Sequence, residues 1–256
     1  MKSLAVLLAL AAAILVLPGD AAAQSGPRSF PDGLTDQQQK EVRELIGEYL
    51  RDNPEIVLEA IQILQQREQA RQNERQRSNL AAYRRELERD PTSPVGGNPK
   101  GDITIVEFFD YLCGFCKQVF PAIQELLRTD GNIRWVFKEF PILTPESRIA
   151  ARAALAAWNQ DRDKYMDFHA ALMESQGGLS ERKILRLAGN AGLDPEAIKA
   201  GLNDPAVEQA LQRNSRLAER LGIRGTPGFI IGDRVVPGAI DLRTMRQMVK
   251  ELRERS

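Results

Sequence analysis

Cysteine and histidine are scarce: the 256 residues hold two cysteines and one histidine. So few cysteines exclude a disulfide scaffold, which uses more of them and spaces them to close long loops. They also argue against a closed intrachain zinc site. Zinc takes four N, S or O ligands, and the chain has no further Cys beside Cys113 and Cys116 and a single His, His169. Excess charge of either sign is missing as well, with 35 Lys and Arg against 35 Asp and Glu. A nucleic-acid partner would call for a basic excess or a dense Lys/Arg face. The arginines from Arg67 to Arg89 are instead interleaved with Glu and Gln and read as a solvated helix face. Long apolar runs are limited to Leu4–Leu17, short of the roughly 20 residues that span a bilayer. Lys2 before that run and Ala21-Ala22-Ala23 after it predict a signal peptide over 1–23, with a retained anchor as the alternative. No cysteine follows the cleavage point to carry a lipid. The mature chain is therefore expected to be exported and soluble.

Residues 24–34, with Ser, Gly and Pro, predict a flexible start. Thr35 then has the character of an N-cap, and Val42, Leu45, Ile46 and Tyr49 recur at helical spacing. Asn53-Pro54-Glu55 marks a break and restart, with Asn53 placed to cap the next helix. Val57, Leu58, Ile61 and Leu64 continue the apolar stripe, and 65–79 predicts either a charged helical rod or a partly ordered linker. The stripes over 35–64 have no partner in their own segment. They either fold back on the rest of the chain or associate with another copy. The helical segment is expected to end near 90, followed by a Pro- and Gly-rich linker over 91–101.

From Asp102 the pattern changes. Ile103–Phe109 and Ile133–Phe140 predict strands flanking a helix from about Cys113 to Arg128, a βαβ unit with a parallel pair. Residues from about 145 to 220 are helical in spacing, and Phe229-Ile230-Ile231, Gly232-Asp233, Val235-Val236 predict a hairpin. Asp241 is a candidate N-cap for a last helix to about Arg253. Strand–helix–strand and strand–strand–helix halves, separated by a helical block, make an α/β thioredoxin fold with an inserted helical domain, over 102–254.

A C-x-x-C bridge closes almost no loop and adds little stability of its own, so the value of Cys113 and Cys116 must lie in their chemistry. Cys113 falls where a strand gives way to a helix, and the free N–H groups of a helix N-terminus favour an anion. Cys113 is accordingly expected to be the exposed, attacking sulfur, with Cys116 one turn inside as the resolving thiol. Lys117 would add a modest favourable charge. Glu107 shares a strand face with Ile103 and Ile105. If buried there, it would keep a raised pKa and relay the proton of Cys116; otherwise it reaches solvent at the strand end. His169 reads as a structural side chain, packed or half-exposed.

Glu107-Phe108-Phe109-Asp110-Tyr111, Cys113-Gly114-Phe115-Cys116-Lys117 and Thr226-Pro227-Gly228-Phe229, with Pro121 after the second cysteine, resemble the DsbA family of bacterial periplasmic thiol:disulfide interchange proteins. The resemblance covers about residues 102–254. It implies that Cys113 is the nucleophile, Cys116 the resolving thiol and Glu107 the buried acid. It also implies a cis bond at Pro227, facing the disulfide, with Thr226, Gly114 and Phe115 meeting substrate. Gly114-Phe115 departs from the Pro-His pair of the strongly oxidising members, and Thr226 before the proline is closer to the isomerases DsbC and DsbG. The charged N-terminal helices are most similar to the ScsC and Com1-like group, some of which trimerise. The resemblance implies a periplasmic oxidoreductase without cofactor, acting on cysteine-containing exported proteins and served by a membrane redox partner. It would form dimers or trimers through 35–90. Isomerisation or reduction of incorrect disulfides is the leading expectation, net oxidation the alternative, and Cu(I) binding by the two thiolates an alternative of another class.

Overall fold

The computed structural model describes residues 33–255; the expected signal peptide and most of the flexible start lie outside the described residues. The chain divides into two units, one up to Leu64 and one from Gln65 onward.

In the first unit, α1 (Asp36–Asp52) opens on a capping box. The Thr35 hydroxyl accepts from the Gln38 amide at 3.3 Å while Gln38 Oε1 accepts from the Thr35 amide at 2.9 Å, so two otherwise orphaned N–H groups are satisfied. Asn53 closes this helix, its side-chain amide donating to the Tyr49 carbonyl at 2.9 Å, and does not cap the helix that follows. α2 (Glu55–Ala82) begins just after Pro54. Leu45, Ile46, Tyr49, Val57, Leu58, Ile61 and Leu64 all stand exposed, and α1 buries none of its residues.

α2 continues without a break through 65–79, which settles the rod-or-linker alternative in favour of the rod. Straight-chain residues and pairs one turn apart, such as Glu68 with Arg71 at 2.8 Å and Gln69 with Asn73 at 2.9 Å, are enough to keep it helical. Its last turn buries Leu80, and the short α3 (Arg84–Glu88) buries Leu87.

The second unit is built on a five-stranded sheet in the order β1-β3-β2-β4-β5. Its strands are β1 (Val95–Gly97), β2 (Ile103–Phe109), β3 (Ile133–Glu139), β4 (Gly228–Ile231) and β5 (Arg234–Pro237). β2 and β3 are parallel, joined by α4 (Gly114–Asp130), while β4 runs antiparallel to β2 and β5 to β4. Helices α5 (Pro145–Gln160), α6 (Arg162–Glu174), α7 (Glu181–Asn190), α8 (Pro195–Gly201) and α9 (Pro205–Arg220) form the inserted block. α10 (Leu242–Arg253) closes the chain, its N-cap Asp241 accepting from the Thr244 amide at 2.7 Å. The fold is thus a thioredoxin fold with a helical insert, preceded by a helical segment. Among the described residues no helix is long and apolar enough to cross a membrane.

β1 lies in the segment expected to be linker. It pairs antiparallel with β3, Val95 opposite Val136 and Gly97 opposite Arg134, although a Gly-Gly pair is a poor strand former by itself. Tertiary pairing with an edge of β3 supplies what local propensity lacks.

Strand alternation sorts the core. Ile105, Phe109, Trp135 and Phe137 pack with α4, α5 and α6 on one face. Val106, Phe108 and Val136 pack with Leu80, Leu87 and Leu217 on the other. On that second face Lys138 is fully buried, its ammonium donating to the Glu86 carbonyl at 2.6 Å and pairing with Asp90 at 3.4 Å. Arg253 ties the end of α10 to Asp102 before β2 and to Asp130 at the end of α4, at 2.8 and 2.6 Å.

At the entry to β2 a Cβ on Gly101 would lie 2.6 Å from both the Arg134 amide nitrogen and the Asn132 carbonyl oxygen. Gly101→Ala is therefore expected to destabilise the full chain by about 1–3 kcal/mol, the usual cost of forced overpacking, as read from its thermal midpoint. An unchanged midpoint would show that this approach does not constrain the fold.

Candidate active site

β2 ends at Phe109, and the chain turns over Asp110–Leu112 into α4. Asp110, almost fully buried, shapes that turn. Its Oδ1 accepts from the Leu112 amide at 2.8 Å, and its Oδ2 from the Ile142 and Leu143 amides at 3.0 and 3.1 Å. The Cys113 amide donates to the Asp110 carbonyl at 3.0 Å, and Cys113, in extended conformation, is the N-cap of α4. Cys116 lies in the first turn behind it and is fully buried; both cysteines are free.

The Thr226–Pro227 bond is cis, as the resemblance implies, and it meets the cysteines from β4. Cys113 Sγ donates to the Thr226 carbonyl at 3.2 Å. That contact explains a departure from expectation: Cys113 retains only 6% of its surface, because its sulfur leans under the proline loop. The exposed element of the motif is instead Phe115, at 64%. Gly114 is exposed with open space around its Cα. Lys117 also differs from expectation. Its ammonium donates to the carbonyls of Leu172, Met173 and Ser175 at 3.2, 2.9 and 2.8 Å, capping the end of α6 and pinning the insert to α4.

Glu107 does not reach solvent. It is 1% exposed on the face of Ile105 and Phe109; its Oε2 accepts from Trp135 Nε1 at 3.0 Å, and its Oε1 has no protein partner. Burial lifts its carboxyl to about 8. Burial also pushes the Cys116 thiol up, and the nearby Glu107 charge pushes it further. A carboxyl and a thiol are thus buried in the same core, each held toward its neutral form.

His169 is packed, not half-exposed: it is fully buried among Phe109, Phe120 and Phe137, and burial holds its imidazole down to about 3. A second buried acid, Glu139, was not anticipated. The alternation Ile133, Trp135, Phe137, Glu139 carries the same signal that singles out Glu107 one strand away. Among the described residues no group of three or more His, Cys, Asp or Glu side chains is placed to hold a metal ion.

Comparison with known proteins adds three kinds of likeness. The family model for the DSBA-like thioredoxin domain matches residues 104–250, and that for the copper resistance protein ScsC N-terminal domain matches 38–71. Among solved structures, a thioredoxin-like oxidoreductase from Silicibacter pomeroyi DSS-3 is 42% identical with a TM-score of 0.64, covering 67% of this chain and 98% of its own. ScsC of Proteus mirabilis, in a transitional conformation, is 31% identical with a TM-score of 0.64, covering 85% and 98%. Disulfide bond formation protein D of Bacillus subtilis is 29% identical over 171 residues, 62% of this chain and 77% of that protein.

Glu107 gives a pH test. Its carboxyl sits at about 8 when folded against 4.5 ordinarily, so the folded protein holds a proton that the unfolded chain releases. The neutral acid is without cost below pH 4.5, and stability falls as pH rises from 4.5 toward 8. Glu107→Gln is expected to abolish that fall. In urea unfolding of the reduced protein the variant should gain on wild type with rising pH, by on the order of 4 kcal/mol at the upper end. A difference that does not grow with pH would contradict a buried neutral acid.

Proposed function

Because the chain belongs to the DSBA-like thioredoxin domain family and is a thiol:disulfide oxidoreductase of DsbA and ScsC type, we propose that it isomerises or reduces incorrect disulfides in exported proteins of the periplasm. The observation that carries this reading is the 3.2 Å approach of Cys113 Sγ to the Thr226 carbonyl, with Cys116 behind it. A backbone carbonyl beside the reactive sulfur lets an extended substrate lie along the Thr226–Pro227 loop with its disulfide over Cys113. Exposed Phe115 and Gly114 flank that path.

In this mechanism the Cys113 thiolate attacks one sulfur of a substrate disulfide. The substrate S–S bond breaks, a Cys113–substrate disulfide forms, and the other substrate sulfur leaves as thiolate. In isomerisation a second substrate thiolate then attacks the substrate sulfur of the mixed disulfide and regenerates Cys113. In reduction Cys116 attacks Cys113, its proton passing to Glu107 in the fraction of molecules that hold this carboxyl ionised, which releases reduced substrate and leaves the pair oxidised. A membrane redox partner would supply the two electrons that reset it. Net oxidation is the same sequence in reverse.

The proposed arrangement along the chain is a leader over 1–23, an oligomerisation segment over 35–90 and a catalytic domain over 102–254. The exposed apolar residues of α1 and early α2, and the family match at 38–71, support association of two or three copies through that segment. Several catalytic domains held together would engage one misfolded substrate at more than one site. Cu(I) held by the two thiolates is a second reading, favoured by the copper-resistance description of the family matched at 38–71.

Reduced protein is expected to reactivate scrambled ribonuclease, and Cys116→Ala to accumulate a mixed disulfide with it. Activity confined to oxidised protein acting on fully reduced ribonuclease would replace isomerisation with oxidation. Metal binding without any trapped disulfide would favour the copper reading. Light scattering of the full mature chain is expected to give a dimer or trimer, and Leu45→Glu combined with Leu58→Glu a monomer; a monomeric wild type would sink the association.

A further inference from the structure

Beneath the cysteines lies a buried polar cluster that dithiol exchange leaves unused. Glu139, the last residue of β3, is fully buried on the same sheet face as Glu107. Its Oε1 lies 3.1 Å from the Tyr111 hydroxyl, and that hydroxyl lies 2.8 Å from His169 Nδ1. The Tyr165 hydroxyl approaches the same nitrogen at 3.4 Å. Tyr111 belongs to the turn that leads into Cys113, His169 and Tyr165 to α6, and Asn214 of α9 donates to the Glu139 carbonyl at 3.1 Å. One phenol therefore joins β3, the turn before Cys113 and the helical insert. Glu139 Oε2 and His169 Nε2 are buried without a protein partner.

The direction of these bonds depends on one proton. Tyr111 has a single hydroxyl hydrogen for two neighbours. With Glu139 protonated, the carboxyl donates to Tyr111 and Tyr111 donates to His169 Nδ1, so every bond is made in one sense. With Glu139 ionised, Tyr111 must turn to the carboxylate, and His169 must carry its hydrogen on Nδ1 to donate back. A buried charge would then face Glu107 and Asp110. The titratable groups around Glu139 are Tyr111 and Asp110 from the turn, Glu107 from β2, and His169 and Tyr165 from α6, and none of them is a cation. Burial, reinforced by Asp110 and Glu107, keeps the Glu139 carboxyl well above the usual carboxylate range.

We propose that Glu139 is a positioning residue of the dithiol site. As a neutral acid it holds Tyr111, and through Tyr111 the turn that presents Cys113, and it leaves Glu107 as the one buried carboxyl that trades a proton with Cys116. The inference rests on the reading of Cys113 as nucleophile. A glutamine at 139 keeps a donor for Tyr111 and carries no charge, whereas alanine leaves the phenol unheld.

The test is the rate of iodoacetamide alkylation of Cys113 against pH in the full reduced chain, together with the reduction potential against glutathione. Glu139→Gln is expected to match wild type in both. Glu139→Ala and Tyr111→Phe should each slow alkylation at neutral pH by roughly tenfold, the scale of one lost buried hydrogen bond. Their effects should not add in the double variant, because they break one chain. If Ala and Phe lower the thermal midpoint but leave alkylation and potential unmoved, Glu139 is merely structural and the proposal fails. It also fails if Gln loses as much as Ala, since an ionised carboxylate would then be required. Should Glu139→Ala not fold, the contrast between Gln and Tyr111→Phe decides by the same readouts. Wild-type label found on Cys116 by mass spectrometry would sink the parent reading of Cys113, a separate result from any change among the Glu139 variants.

Discussion

The site depends on β2 lying between β3 and β4. The parallel neighbour β3 brings Trp135 against Glu107, and the antiparallel neighbour β4 brings the Thr226 carbonyl to Cys113. Neither partner is local: the sulfur and the carbonyl are separated by more than a hundred residues, most of them in the insert. The sheet order is thus the device that turns two distant loops into one reactive surface. Its strands are held by clamps outside the site, such as Arg253 bridging Asp102 and Asp130.

Around that contact the protein accepts unfavourable burial. Glu107 and Glu139 occupy strand positions that alternation would otherwise fill with apolar side chains, and Tyr111, Tyr165 and His169 are buried in the same core. Burying a carboxyl costs free energy unless it is paired or neutral, and these two acids meet hydroxyl and indole donors, not cations. Those hydrogen bonds by themselves favour the carboxylate, but burial outweighs them and holds both acids toward the neutral form. On the opposite face, where nothing reacts, Lys138 is buried with Asp90 and the Glu86 carbonyl in an ordinary satisfied arrangement, its ammonium lowered by burial to about 8.

Much of this was legible in the sequence. Ile103–Phe109, the helix after Cys113 and the Gly232-Asp233 hairpin were readable because alternation, capping position and turn chemistry agree there. β1 was not, since its Gly-Gly pair is a strand only by virtue of β3. The burial of Cys113 was hidden because it depends on a loop remote in the chain. For the same reason the sequence misrepresents Lys117: a cation next to a thiol suggests electrostatics, but its acceptors are carbonyls that only the folded α6 brings within reach. Glu139 is a different case. Its position on an apolar alternation was as visible as that of Glu107, but only the packing of Tyr111 and His169 gives it meaning.

The single histidine has one last consequence. Imidazole is the ordinary buffer of the neutral range, and here it is locked inside the aromatic box, neutral down to about pH 3. The outer face of the described fold is thereby stripped of the side chain that most often answers a mild acid shift. A mild acid shift that would charge an exposed imidazole finds none on this surface, and the interior one stays neutral through it.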